Sequence, residues 1–170
     1  MRHVFWLIPE LLDGRAGPNR EPWDIGELAR AGFRAVLSVN DGELCHAEDF
    51  TRLGMAYACL PLSANAPPRR GDLQQCLDTL PEAYDFVSAQ IGKRRPALIH
   101  CSSGKDRTCL LMAYFLMRHD AVAPDDAVAQ VRALRPIAFT AEGWESFAFA
   151  VLRESRKTLP RSARTEPLDA

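Results

Sequence analysis

One short segment constrains the fold of this chain more than any other. The apolar run 97–100 has the length of a buried strand, and the apolar stretch 107–119 has the length of a helix. The loop between them contains a glycine, which permits a tight turn. A strand, a loop and a helix in this order predict that this part of the chain is one unit of an α/β domain.

The rest of the chain repeats this alternation in its first half. Strands are predicted at 4–8, 35–39, 57–62 and 97–100, and helices at 24–31, 47–53, 72–92, 107–119, 124–135 and 140–157. Asp13-Gly14 and Gly17-Pro18 predict turns, and Pro81 predicts a kink or a break in the long helix. Strands that alternate with helices favour an α/β fold with a mainly parallel sheet.

Composition and charge exclude several classes of function. The 170 residues fit one domain, and 21 Lys and Arg against 22 Asp and Glu give a net charge of −1. Such a balance gives no general attraction to nucleic acid or to anionic membranes, so we predict no nucleic-acid partner. The first apolar run ends at Pro9, too short for an integral membrane segment.

The cysteines and histidines indicate neither a metal site nor a disulfide framework. The five cysteines include no C-x-x-C pair, and the histidines lack the spacing of metal ligands. We therefore predict no metal and no cofactor. Free thiols are typical of a reducing compartment, so the expected location is the cytoplasm.

The loop at 101–106 has the features of a phosphate cradle. Backbone N–H groups in a loop between a strand and a helix can converge on an anion, and the start of the helix adds its positive end. We expect the backbone donors to come from a run of five residues, namely Ser102, Ser103, Gly104, Lys105 and Asp106.

The side chains around this cradle suit nucleophilic chemistry on phosphorus. Cys101 lies at its mouth, where the N–H groups and the helix dipole favour a thiolate with a depressed pKa. Arg107 is predicted to grip two phosphoryl oxygens. We expect the Thr108 hydroxyl to donate to the sulfur and His100 to hold the loop by a hydrogen bond to its backbone. The alternative is an inert buried cysteine beside a solvated arginine.

The pattern His-Cys-x-x-Gly-x-x-Arg-Thr over 100–108 resembles the signature of the cysteine-dependent protein tyrosine and dual-specificity phosphatases. The resemblance extends over about 5–152. It implies a compact dual-specificity-phosphatase-like α/β domain over 1–157, with a central, mainly parallel sheet of four to five strands flanked by helices. Residues 158–170 are predicted to form a polar and mobile C-terminal tail.

The resemblance also implies an activity. It implies that phosphate monoesters are hydrolysed through a phosphocysteine on Cys101, that Arg107 binds the phosphoryl oxygens, and that Thr108 aids departure of the thiolate. The implied substrates are a phosphorylated protein, such as a phosphotyrosine or dual-specificity substrate, or a phosphoinositide.

Basic residues near the loop bear on the choice of substrate. Lys105-Asp106-Arg107 resembles the loop of phosphoinositide phosphatases such as myotubularins and of bacterial tyrosine/lipid phosphatases. Lys105, together with Arg69 and Arg70 in the predicted loop 63–71, is expected to favour a multiply charged substrate such as an inositol phosphate. The alternative is that Arg69 and Arg70 belong to a solvated loop.

The chain departs from the family pattern at the general acid. Related enzymes carry an aspartate in the loop before the long helix, where this chain has Ala64 or Ala66. Asp106 and Asp72 are the candidate substitutes. Their alternative roles are a stabilising carboxylate at a helix N-terminus for Asp106 and a helix cap for Asp72. The rival function is a phosphate-binding module with weak or no turnover.

Overall fold

The structure is a computed structural model, and it describes residues 4–159. The predicted C-terminal tail lies outside the described residues from 160 onward. Within 4–159, no helix is both long enough and apolar enough to cross a membrane.

Five strands form one sheet, and each is only four or five residues long. Their order in the sheet is β1-β2-β5-β3-β4, in which β1 and β2 are antiparallel and all other neighbours are parallel. The predicted mainly parallel α/β sheet is therefore confirmed. The strands are β1 Phe5–Ile8, β2 Leu12–Ala16, β3 Ala35–Ser38, β4 Ala56–Cys59 and β5 Ala97–Cys101.

Helices cover both faces of this sheet. The larger core packs α3 to α6 against one face, and a smaller cluster packs α1 and α2 against the other. Because β5 lies in the middle of the sheet, its carboxyl end is enclosed by both layers. The helices are α1 Ile25–Arg30, α2 Ala47–Arg52, α3 Asp72–Ile91, α4 Arg107–His119, α5 Pro124–Leu134 and α6 Trp144–Thr158.

The structure differs from the prediction in four elements. Strand β4 ends at Cys59, three residues before the predicted end at 62. Asp13-Gly14 is not a turn but the middle of strand β2, because a turn around Glu10 (φ 61°) reverses the chain earlier. Helix α3 continues through Pro81, so of the predicted kink or break the break is wrong, because the buried face of the helix packs along the core on both sides of the proline. Helix α6 begins at Trp144 rather than at 140, after Gly143 in a left-handed conformation (φ 73°).

Candidate active site

Cys101 ends the central strand, and the helix α4 begins at Arg107. The Cys101 side chain is 2% exposed. Between the two lies the segment 102–106, which we name the phosphate loop. Of the predicted backbone donors, Ser102, Ser103 and Lys105 are half-buried and Gly104 and Asp106 are buried. The structure thus brings together the residues that the sequence signature grouped.

Gly104 allows the phosphate loop to lie directly on strand β2. Its φ of 59° is left-handed, and a Cβ added there would lie 2.4 Å from the Arg15 carbonyl carbon and 2.7 Å from the Ala16 nitrogen. No other residue fits without moving backbone. The glycine of the signature is therefore required by packing as well as by its backbone angles.

Two residues that sequence reasoning missed tie the loop carbonyls outward. The Gly17 N–H donates to the Cys101 carbonyl at 2.7 Å. The Arg135 guanidinium donates to the carbonyls of Gly104 at 3.3 Å and Ser103 at 3.2 Å. With these carbonyls turned outward, the N–H groups are left to face an anion. Neither residue carried a local signal beyond a turn at Gly17-Pro18 and a helix end near Arg135.

His100 is held from the neighbouring strand. Its Nε2 lies 2.6 Å from the Ser38 hydroxyl and 3.7 Å from the Cys45 sulfur. Burial lowers the pKa of His100 to about 4, so the ring is neutral at pH 7. The Thr108 hydroxyl is buried and has no hydrogen-bond partner within 4–159, so its predicted bond to the sulfur is not formed here.

Arg107 is buried and faces the segment 63–71, which we name the overhanging loop. Its Nε donates to the Ser63 carbonyl at 2.7 Å, and its Nη2 donates to the Asn65 carbonyl at 3.1 Å. The Trp144 ring covers the guanidinium, with 4.4 Å from Cζ to the ring centroid. Trp144 is itself fully buried in the larger core.

Asp72 anchors the overhanging loop and does not cap the helix as predicted. Gly71 occupies the cap position of α3, without a side-chain bond. The Asp72 carboxylate instead accepts from the Arg69 N–H and from the Asn65 amide at 3.0 Å to each oxygen. Burial raises the pKa of Asp72, but these hydrogen bonds outweigh it and lower the pKa below its ordinary value. An acid so held is a poor proton donor.

Asp106 differs from Asp72 in that burial, rather than hydrogen bonding, dominates its environment. It occupies the cap position of α4 and makes no side-chain cap bond, so a stabilising effect there would come from its charge beside the helix N-terminus. Its side chain is 3% exposed, and its carboxyl accepts from the Ala141 N–H at 3.3 Å and lies 3.8 Å from Arg107 Nη1. Burial raises the pKa of Asp106, against the opposing effects of that N–H, Lys105 and Arg107. Of the two candidate acids, Asp106 is the one inclined to keep a proton.

The three predicted cations occupy different positions. Lys105 belongs to the phosphate loop, and its Nζ donates to the Thr140 hydroxyl at 3.2 Å. Arg69 and Arg70 are exposed on the overhanging loop. The Lys105 ammonium is therefore held beside the phosphate loop by Thr140, whereas the two arginines are exposed.

Known proteins are similar to this chain in sequence and in fold. Curated relatives include the mouse dual specificity protein phosphatase 12, 27% identical over 143 residues. Another is the zebrafish dual specificity protein phosphatase 22-B, 23% identical over 167 residues. These alignments cover 84% and 96% of this chain. The chain spans 39% of the mouse protein and 84% of the zebrafish protein.

Solved structures agree on the fold. Tk-PTP in its active form superposes with a TM-score of 0.72 at 19% identity, over 93% of this chain and 99% of that one. PTPMT1 in complex with PI(5)P superposes with a TM-score of 0.67 at 15% identity, over 90% and 97%. The sequence profile of the dual specificity phosphatase catalytic domain matches residues 27–151. The chain therefore belongs to the dual-specificity phosphatase family of cysteine-dependent phosphatases.

Proposed function

We propose that this chain hydrolyses phosphate monoesters through a phosphocysteine on Cys101, with the aryl ester of phosphotyrosine as its best substrate. The observation that carries the proposal is the phosphate loop. It follows the buried Cys101, its carbonyls are bound by Gly17 and Arg135, and it leads directly into Arg107. Such a loop suits a phosphoryl dianion.

The reaction has two displacements at phosphorus. In the first, the Cys101 sulfur bonds to phosphorus while the bond from phosphorus to the ester oxygen breaks, and that oxygen takes a proton and leaves. In the second, water attacks phosphorus and gives a proton back to the acid, the sulfur–phosphorus bond breaks, and inorganic phosphate and the thiolate are released. The loop N–H groups and Arg107 stabilise the charge on the equatorial oxygens in both steps.

Asp106 is the proton donor in this proposal. Its raised pKa supports the role, and the lowered pKa of Asp72 argues against Asp72. Because the Asp106 carboxyl is buried and already bonded to Ala141, we expect it to be a weak acid catalyst. A phenol oxygen, with a pKa of about 10, leaves with less help than an alkyl oxygen, which favours phosphotyrosine.

Phosphoinositides are the second candidate substrate. One neighbour in fold, PTPMT1, was solved in complex with PI(5)P. Lys105 belongs to the phosphate loop and carries its ammonium beside Thr140, and Arg69 and Arg70 add exposed positive charge on the overhanging loop. These three cations suit a headgroup with more than one phosphate.

We place the enzyme in the cytoplasm, in keeping with its five free cysteines.

The test is phosphate release from an aryl phosphate, a phosphotyrosine peptide and inositol phospholipids. Cys101→Ser serves as the blank, and Asp106→Asn is compared with Asp72→Asn. We expect turnover of the aryl esters to exceed that of the inositol esters, and Asp106→Asn to lower turnover of the inositol esters by a larger factor than turnover of the aryl esters. Comparable turnover of the lipids would make phosphoinositides the substrate class.

The same substrates and variants distinguish hydrolysis from the rival function, phosphate binding without turnover. No release above the Cys101→Ser blank, with inorganic phosphate still bound, would overturn hydrolysis and leave a phosphate-binding module. An Asp106→Asn variant with unchanged turnover would remove Asp106 from the proton transfer.

A further inference from the structure

The arginine that should grip the phosphoryl group is already bound by the protein. Arg107 Nε and Nη2 form one edge of the guanidinium, and they donate to the carbonyls of Ser63 and Asn65. A face of the same group is covered by Trp144. The remaining nitrogen, Nη1, lies 3.8 Å from the Asp106 carboxylate.

In this arrangement the overhanging loop and a bound phosphoryl group would use the same hydrogen-bond donors of Arg107. An arginine binds two oxygens of a phosphoryl group most strongly when both donors of one edge are used together. The edge formed by Nε and Nη2 cannot hold two loop carbonyls and two phosphoryl oxygens at once. Bidentate binding along this edge therefore requires the loop carbonyls to release Arg107.

Two side-chain contacts keep the Asn65 carbonyl at this edge. The Trp144 Nε1–H donates to that carbonyl at 2.9 Å, from helix α6. The Asn65 amide donates to both oxygens of Asp72 at 3.0 Å, at the start of helix α3. Asn65 is thus tied to two helices that belong to the larger core.

We propose that Trp144 and Asn65 are positioning residues that hold Arg107 on the overhanging loop, so that loop and phosphoryl group compete for one edge of its guanidinium. The inference rests on the proposed function, because it assumes that Arg107 binds the phosphoryl group. The apparent association constant for phosphate is then the intrinsic constant multiplied by the fraction of molecules in which Arg107 is released.

Two variants loosen this contact from opposite sides. Trp144→Phe keeps an aromatic ring over the guanidinium but removes the N–H donor to Asn65. Asn65→Ala keeps the backbone carbonyl but removes the amide that binds Asp72. Trp6→Phe is the matched control, because Trp6 stacks on Phe33 on the opposite face of the sheet.

The measurement is the dissociation constant of inorganic phosphate by calorimetry, in the Cys101→Ser background. A net hydrogen bond of ordinary strength corresponds to about a 2- to 10-fold change. We therefore expect Trp144→Phe and Asn65→Ala each to tighten phosphate binding about 2- to 10-fold. In the double variant, binding should tighten by less than the product of the two single factors, because both substitutions loosen the same contact. With Cys101 restored, KM for an aryl phosphate should fall by a similar factor. Thermal unfolding checks that each variant is folded.

The outcomes separate the two proposals. Unchanged or weaker phosphate binding in both variants, relative to Trp6→Phe, would show that Trp144 and Asn65 support the bound state or play no part in it. That result overturns the competition while the parent enzyme still turns over. An unaltered chain that neither binds phosphate nor releases it from esters would instead overturn the proposed function.

Discussion

The phosphate loop and the overhanging loop meet at Arg107, but they are held in different ways. The phosphate loop lies on strand β2 through backbone contacts, which Gly104 permits, and Gly17 and Arg135 bind its carbonyls. The overhanging loop is held by side chains, chiefly Asn65 with Asp72 and Trp144 with the Asn65 carbonyl.

This difference explains why one loop matches a family signature and the other does not. A loop held by its backbone tolerates few residues at a close approach, so its sequence is restricted. A loop held by side chains from distant helices can change residue by residue, provided that the partners remain. The usual aspartate is absent from the overhanging loop, which nevertheless stays attached to the core through Asn65 and Asp72.

Replacing Gly104 by alanine should have the largest effect. The new Cβ would collide with the backbone of Arg15 and Ala16, at a left-handed φ that alanine disfavours. The loop must move, so we expect at least about 100-fold lower kcat/KM for an aryl phosphate, because small misplacements of catalytic groups have effects of this size. Gly54→Ala is the control, since its φ of 68° is close to the 59° of Gly104 and nothing lies within 4 Å of the added Cβ. Equal losses in both variants would contradict the role of close packing.

Asp13 under the phosphate loop and Asp72 beside the overhanging loop affect the stability of the fold in opposite ways as the pH changes. Asp13, in the strand under the phosphate loop, is fully buried with neither oxygen hydrogen-bonded to a described residue. Burial raises the pKa of Asp13 to about 7 from 3.8. The folded state then holds a proton that the unfolded state loses, so this group lowers stability as pH rises from about 4 to 7. Asp72, whose pKa is lowered, stabilises the fold above its unfolded pKa, and this contribution is lost in acid.

Asp13→Asn should therefore remove the loss of stability that the Asp13 carboxyl causes as the pH rises. Relative to the unaltered chain, its free energy of unfolding should improve by about 3 kcal/mol between pH 5 and pH 8. Urea unfolding at both pH values measures this. Asp72→Asn should be less stable than the parent at pH 7, with the difference shrinking toward pH 3. A difference between Asp13→Asn and the parent that is independent of pH would show that Asp13 is not a buried neutral acid.

Restoring a carboxylate to the overhanging loop should have the smallest effect. Ala64→Asp or Ala66→Asp would supply the acid that related enzymes carry there, and both positions are exposed. A well-positioned acid contributes about 100-fold or more, and one placed without supporting contacts contributes less. We expect about a 10-fold rise in kcat for an alkyl phosphate and little change for an aryl phosphate, by phosphate release. The matched asparagine variants should show no rise; if they do, the gain does not come from proton donation.

Much of the fold could be predicted from local patterns. The order of strands and helices follows from apolar periodicity, and α4 and α5 begin where the sequence predicted. Asp13-Gly14 misled the prediction, because an Asp-Gly pair is typical of turns but here lies in a buried strand. Its position depends on β1, β5 and α4 packing around it, which no local pattern contains.

By itself, the sequence determined the α/β fold and the segment from Cys101 to Arg107, because a strand, a glycine loop and a helix are local structures with local signals. Only the tertiary structure decided what surrounds them. It set Trp144 on Arg107 from a helix 37 residues later. It gave Asp106 and Asp72 opposite proton affinities, because burial and hydrogen bonds depend on residues that meet only after the chain has folded.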